Sequence, residues 1–99
     1  MLPSEYYLTQ NYPNPFNPKT TIEFNLGEDP AIVTLKIYNM LGQEVATLYD
    51  QQQLDGGEQS VDFDANSIPS GVYIYRVIVQ SLGDDAKYYQ ESKKMMLMK

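Results

Sequence analysis

Residues 71–79 read Gly71-Val72-Tyr73-Ile74-Tyr75-Arg76-Val77-Ile78-Val79, the most apolar run in the chain. The run is rich in β-branched and aromatic residues. Turn signals bound it, Pro69-Ser70-Gly71 before and Ser81-Leu82-Gly83 after. Such a run reads as a buried strand. Arg76 sets the parity. With Arg76 towards water or the sheet rim, Tyr73, Tyr75, Val77 and Val79 point into the core, because successive side chains alternate. Val72, Ile74 and Ile78 share the face of Arg76 and need some cover. A strand apolar on both faces belongs inside a sheet rather than at its edge.

The chain around this strand has 99 residues, the size of one domain. Such a length buries roughly 60–65% of its unfolded surface, enough for one modest core. Cysteine and histidine are both missing. Disulfide staples, thiolate nucleophiles, zinc sites of the usual kind and histidine acid–base chemistry are thereby excluded. The net charge of −6 argues against nucleic acid, which needs a basic face. No segment approaches the ~18 apolar residues of a membrane span. Met1-Leu2-Pro3-Ser4-Glu5 lacks the basic and apolar regions of a signal peptide. The expectation is either a cytoplasmic protein or one domain, 1–99, cut from a larger exported chain. Positive charge is segregated: Lys87, Lys93, Lys94 and Lys99 lie near the end, leaving Lys19, Lys36 and Arg76 for the rest. Edge-strand protection and partner recognition both account for that.

Helical periodicity is absent from the pattern, and alternation at period two recurs. Residues 6–10 form a short candidate strand. Asn11, Tyr12, Pro13, Asn14, Pro15, Phe16, Asn17 and Pro18 follow. The prolines fix φ and remove backbone donors, so this is a stiff loop, with Tyr12 and Phe16 expected to pack its ends onto the body. Residues 19–26 alternate with Ile22, Phe24 and Leu26 inward, and residues 31–39 with Val33, Leu35 and Ile37 inward. Tyr38 is expected as a packed rim residue. Asn39-Met40-Leu41-Gly42-Gln43 is a tight turn needing positive φ at Gly42. Residues 43–49 return as the second hairpin arm. Val45 and Leu48 break its parity, which predicts a bulge near Ala46-Thr47. Residues 50–57 read as a polar loop. Residues 58–64 read as a strand with Val61 and Phe63 inward. Gly83-Asp84-Asp85 is a turn, and residues 87–99 form the last strand. About seven antiparallel strands with sequential connections predict an all-β, immunoglobulin-like sandwich.

Little in the chain points to catalysis. The candidate carboxylate pairs are Glu28/Asp29, Asp62/Asp64 and Asp84/Asp85. Asp62 and Asp64 share a strand face, and Asn66 can add an oxygen, a weak calcium signature beside the plainer account of a solvated face. Ser70 lacks a base, and no phosphate-cradling glycine loop is present. No cofactor is implied. Nine tyrosines leave stacking on a glycan open. Tyr73 and Tyr75 look like core, whereas Tyr6, Tyr7, Tyr88 and Tyr89 lie where the first and last strands can meet.

Several blocks then carry a resemblance. Leu8-Thr9-Gln10 runs into the Asn11-to-Pro18 motif and on to Thr20-Thr21-Ile22-Glu23-Phe24. Leu35-Lys36-Ile37-Tyr38-Asn39-Met40-Leu41-Gly42-Gln43-Glu44-Val45, Ser70-Gly71-Val72-Tyr73-Ile74-Tyr75-Arg76 and Lys93-Lys94-Met95 complete it. In this order they resemble the C-terminal sorting domain of type IX (Por) secretion, type A. Gly56-Gly57 departs slightly from the family's small-residue-then-glycine pattern. The resemblance implies a non-catalytic address at the end of a secreted protein, joined to an upstream passenger. The outer-membrane translocon reads it in the periplasm, and a surface sortase often removes it, leaving the passenger at the cell surface or in the medium. Lys93, Lys94, Met95, Met96, Leu97, Met98 and Lys99 are the expected recognition segment, read by strand pairing at an exposed edge and oriented by charge. The Asn11-to-Pro18 motif, Gly42, Gly71 and Tyr73 are expected as scaffold. An edge-strand dimer of the isolated domain is a further expectation. The alternatives are an immunoglobulin-like interaction module, as in flagellar hook-capping proteins, or a glycan-binding accessory domain.

Overall fold

A computed structural model describes residues 6–83 and 88–99, and every regular element among them is a strand. In chain order these are β1 (Tyr7–Leu8), β2 (Lys19–Asn25), β3 (Ala31–Tyr38), β4 (Glu44–Leu54), β5 (Glu58–Asp64), β6 (Gly71–Ser81) and β7 (Tyr88–Leu97). The expected turn at Asp84 and Asp85, with Lys87, lies outside the described residues. Two antiparallel sheets result, one ordered β1-β2-β5 and the other β4-β3-β6-β7. The connections are not sequential throughout. Strand β2 pairs with β5 and β3 with β6, so the chain changes sheets after β2, after β4 and again after β5. Strands with one apolar face need a second layer to cover it, and changing sheets supplies that layer. Second-with-fifth and third-with-sixth pairing is the immunoglobulin pattern; β4 joins β3 rather than β5.

Strand β6 lies inside its sheet, between β3 and β7. Tyr73, Tyr75, Val77 and Val79 are buried, and Val72, Ile74, Arg76 and Ile78 are half-buried on the opposite face. Ile22, Phe24 and Leu26 meet Val33, Leu35 and Ile37 in the same core cluster. Phe63 joins them, and Val61 packs half-buried at the margin.

Strand β4 departs most from expectation. Leu35 faces Tyr49 while Lys36 faces Thr47, so Leu48 is the extra residue. Ile37 faces Ala46 while Tyr38 faces Glu44, so Val45 is a second extra residue. Ala46 and Thr47, where the bulge was expected, are the paired residues between them. The two insertions let both Val45 and Leu48 pack against the core, which a regular strand forbids. Residues 50–54 are strand, not loop: beyond a third register shift, at Asp50 and Gln51, the residues Gln52, Gln53 and Leu54 pair with Val33, Ile32 and Ala31. Their glutamines point to solvent, which an edge strand permits. Only Asp55, Gly56 and Gly57 turn. A Cβ on Gly56 would lie 2.6 Å from the Glu28 carbonyl oxygen, so this close approach of two turns requires glycine. In the β3–β4 turn, Asn39 Oδ1 accepts from the Leu41 and Gln43 amides at 2.9 and 3.0 Å, and Gly42 has φ +83°.

The Asn11-to-Pro18 loop holds the first sheet to the second. Phe16 is buried, with its ring centroid 6.2 Å from that of Phe63. Tyr12 does not pack as expected; its side chain stands 80% exposed. The loop's other anchor is Tyr75 of β6. The Tyr75 hydroxyl accepts from the Asn11 amide at 2.8 Å and donates to the Thr9 carbonyl at 2.6 Å. Asn11 is buried too, its carboxamide donating to Thr20 Oγ1 at 3.0 Å.

Burial pushes the Tyr75 phenol up to about 12. Its folded pKa exceeds its unfolded value near ~10, so its contribution is full below pH ~10 and falls as pH rises towards 12. Tyr75→Phe leaves the Asn11 amide and the Thr9 carbonyl without this partner, at a cost of about 1–3 kcal/mol. Circular dichroism melts between pH 9 and 12 should show the variant less stable at neutral pH but with a shallower alkaline fall. Tyr89, also pushed up by burial and by Glu91, and Tyr7, pushed up by its hydrogen bond to Glu58, contribute to the slope that remains.

Candidate recognition surface

Strand β7 ends its sheet, with β6 on one side and, among the described residues, no strand on the other. Alternation divides the expected recognition segment into two sets. Met95 and Leu97 are each 1% exposed and belong to the core, facing Tyr73 and Gly71 across the register. They cannot touch a partner while the domain is folded. Met96 and Met98 are 41% and 56% exposed, and Lys94 is exposed with them. Lys93 is half-buried and ion-pairs with Glu91 at 3.3 Å. Lys99 is held by its ends: its amide donates to Ser70 Oγ and its ammonium to the Asn66 carbonyl, both at 3.0 Å.

The outer edge of β7 is not uniformly open. Phe16 donates its amide to the Met96 carbonyl at 2.9 Å and accepts from the Met98 amide at 3.0 Å. Asn14 Oδ1 accepts from the Met96 amide at 2.9 Å, and Gln10 Nε2 donates to the Lys94 carbonyl at 2.6 Å. The proline-rich loop therefore occupies the main-chain groups of the terminal half, where pairing with a partner strand was expected. By the same parity Gln90 and Ser92 point their main-chain groups outward, and those carry no hydrogen bond among the described residues.

The two outer faces differ in charge. On the four-stranded sheet, Ile74 lies between Tyr38 and Lys94, Arg76 between Lys36 and Ser92, and Val72 beside Met96. The Arg76 guanidinium sits 5.2 Å from the centre of the Tyr38 ring, so Tyr38 is a packed rim residue. Lys36 pairs with Glu44 at 3.2 Å, a contact that raises the lysine's pKa. Glu44 is held low, first by the Thr47 hydroxyl and then by Lys36. Arg76 and Lys94 give this face its positive character. On the three-stranded sheet, Thr21 faces Asp62, Glu23 faces Ser60, Asn25 faces Glu58 and Lys19 faces Asp64, an acidic surface. Neither pattern was found from sequence, because only the register brings Lys36, Arg76 and Lys94 side by side.

The remaining candidates are placed as follows. Asp62 Oδ1 accepts from the Thr21 hydroxyl at 2.8 Å, and Asp64 Oδ1 from the Asn66 amide at 3.0 Å. The Asn66 group that meets Asp64 is its main-chain N–H. No metal-holding group of three acidic residues occurs among the described residues. The Tyr73 hydroxyl donates to the Pro69 carbonyl at 2.6 Å, a structural role. Tyr6 and Tyr89 do meet, at 5.5 Å between ring centroids, whereas Tyr7 and Tyr88 are exposed.

A small two-sheet module with this strand pairing is, as a class, an immunoglobulin-like β-sandwich. The chain belongs to the secretion system C-terminal sorting domain family, whose model matches residues 10–91. Domains of this family are C-terminal sorting signals of type IX secretion. They work with that secretion machinery at the end of a passenger, and the parent is exported to the cell surface or medium. Dimeric latent PorU from Porphyromonas gingivalis is similar in fold: TM-score 0.68 and 21% identity, over 95% of this chain and 9% of that one. CopC from Methylosinus trichosporium OB3b is also similar, with TM-score 0.61 and 14% identity over 94% of this chain and 93% of that one. No curated protein sequence matches the chain.

Removing the Asn14 carboxamide should loosen the terminal edge. Asn14→Ala takes away the acceptor for the Met96 amide, worth about 1 kcal/mol. Hydrogen exchange at Met96 should quicken about fivefold, with exchange in β3 unchanged.

Proposed function

We propose that the type IX machinery reads this domain chiefly through side chains at the end of β7. Lys94, Met96 and Met98 form the contact row, Lys93 and Lys99 flank it, and Met95 and Leu97 are the buried pegs that hold it in place. The observation that carries this is the alternation: adjacent residues of one short strand are sealed into the core and set out in water. Methionine suits such a surface, because its unbranched thioether adapts to a partner's shape. The lysines orient the approach of an acidic receptor. The terminal main chain is already engaged by Asn14 and Phe16, so side chains carry the specificity there. Strand pairing is confined to the outward main chain around Gln90 and Ser92. The whole of 1–99 acts as one sorting domain of a longer exported parent. The outer-membrane translocon receives it in the periplasm, and a sortase then removes it at the surface.

The test is a fusion of a passenger to this domain, expressed in a host with type IX secretion. A triple variant, Lys94→Glu with Met96→Ser and Met98→Ser, should leave the passenger in the periplasm while the purified domain melts within a few degrees of the parent. Normal surface delivery of a well-folded triple variant defeats the proposal. Leu97→Ala serves as the contrasting control. It should cost about 2–5 kcal/mol, as buried leucine truncations do, and fail by unfolding.

A further inference from the structure

The sorting role as proposed leaves the outer face of the three-stranded sheet unused, and that face is not a plain solvated surface. Tyr7 stands opposite Asn25 and Tyr12 opposite Thr21. Those partners are four residues apart on β2, about 13 Å at ~3.3 Å per residue. Thr9 fills the interval: its hydroxyl donates to the Glu23 carbonyl at 3.0 Å and accepts from the Glu23 amide at 3.3 Å. Two shallow depressions lie along this line. One, of about 400 Å³, is bordered by Tyr12, Gln10 and Thr21. The other, of about 220 Å³, is bordered by Tyr7, Glu58 and Ser60. Glu23 borders both.

We infer that this face is a binding site for a neutral oligosaccharide. A pyranose ring has a C–H face that packs on an aromatic ring and a rim of hydroxyls that donate to carboxylates. Tyr12 offers an exposed ring with no ring partner among the described residues. Tyrosine loses little conformational entropy on contact, since it has only two χ angles to fix. The Tyr7 hydroxyl is held by Glu58 at 3.1 Å, which fixes that ring at the other end. Glu23 borders both depressions, and its carboxylate is the group there that accepts sugar hydroxyls in charge-assisted hydrogen bonds. The four-residue separation of their partners on β2, about 13 Å, fits a short oligosaccharide rather than one sugar. The surplus of acids, Glu23, Glu58, Asp62 and Asp64 against Lys19 alone on β2 and β5, turns away anionic polysaccharides. A protein partner wants an apolar centre with charge at the rim; here the charge is central.

The experiment is a two-dimensional amide NMR titration of the whole domain with maltohexaose, cellohexaose and chitohexaose, and with polygalacturonate as the anionic comparison. At least one neutral hexasaccharide should bind with a Kd of about 1 mM or tighter. Shifts should be confined to the surroundings of Thr9, Tyr12, Thr21 and Glu23. Tyr12→Ala should weaken binding about tenfold, Tyr12→Phe should leave it nearly unchanged, and Lys94→Glu on the opposite sheet should have no effect. Absence of shifts with all three sugars at millimolar concentration overturns the inference. So does binding that survives Tyr12→Ala. Tyr12→Ala blocking export with no sugar bound also overturns it and gives this face to a protein of the machinery. The β7 triple variant should keep its sugar binding, so failure of one proposal is distinguishable from failure of the other.

Discussion

One hydroxyl group ties the sandwich together. Tyr75 sits at the middle of the most buried strand, and its oxygen meets the main chain of the opposite sheet's margin at both Thr9 and Asn11. Apolar contact between the sheets is non-directional and permits sliding. This pair of hydrogen bonds is directional and places the first strand and the proline-rich loop in one register over the core. The loop in turn reaches β7 through Asn14 and Phe16. A chain of specific contacts therefore runs from the central strand, through the first strand, to the last.

How far the sequence reveals this depends on what each property needs. The inward sets of β2, β3 and β6 were legible because each has a period-two pattern with one apolar face. Gly42 and Asn39 were legible because their turn chemistry is local. The bulges of β4 were half-legible: the parity clash of Val45 and Leu48 signals an insertion but not its place, which the pairing partner decides. Residues 50–54 were misread because polarity was taken for loop, although an edge strand tolerates glutamine. Tyr12 was misread because a tyrosine beside prolines carries no mark of which way it points. The order of the strands, and with it the contrast between faces, depends on long-range pairing that no local pattern records.

The recognition segment shows the same division. Its residue types announced an unusual terminus, and its placement on an edge strand was legible. Its alternation between core and water was implicit in the strand period, yet the expected segment ran through Met95 and Leu97, which the sandwich buries. Gly56 is a slight departure from the family pattern in sequence, while the structure shows a backbone contact that only glycine admits.

The interleaving of Met95 and Leu97 with Lys94, Met96 and Met98 also has a consequence for quality control. In a disordered chain those five side chains are equivalent and no ordered row exists. The row appears only when Met95 and Leu97 are buried by the sandwich, so its presence reports that the two sheets have closed. On the proposed reading, a receptor that binds this row binds only the folded domain.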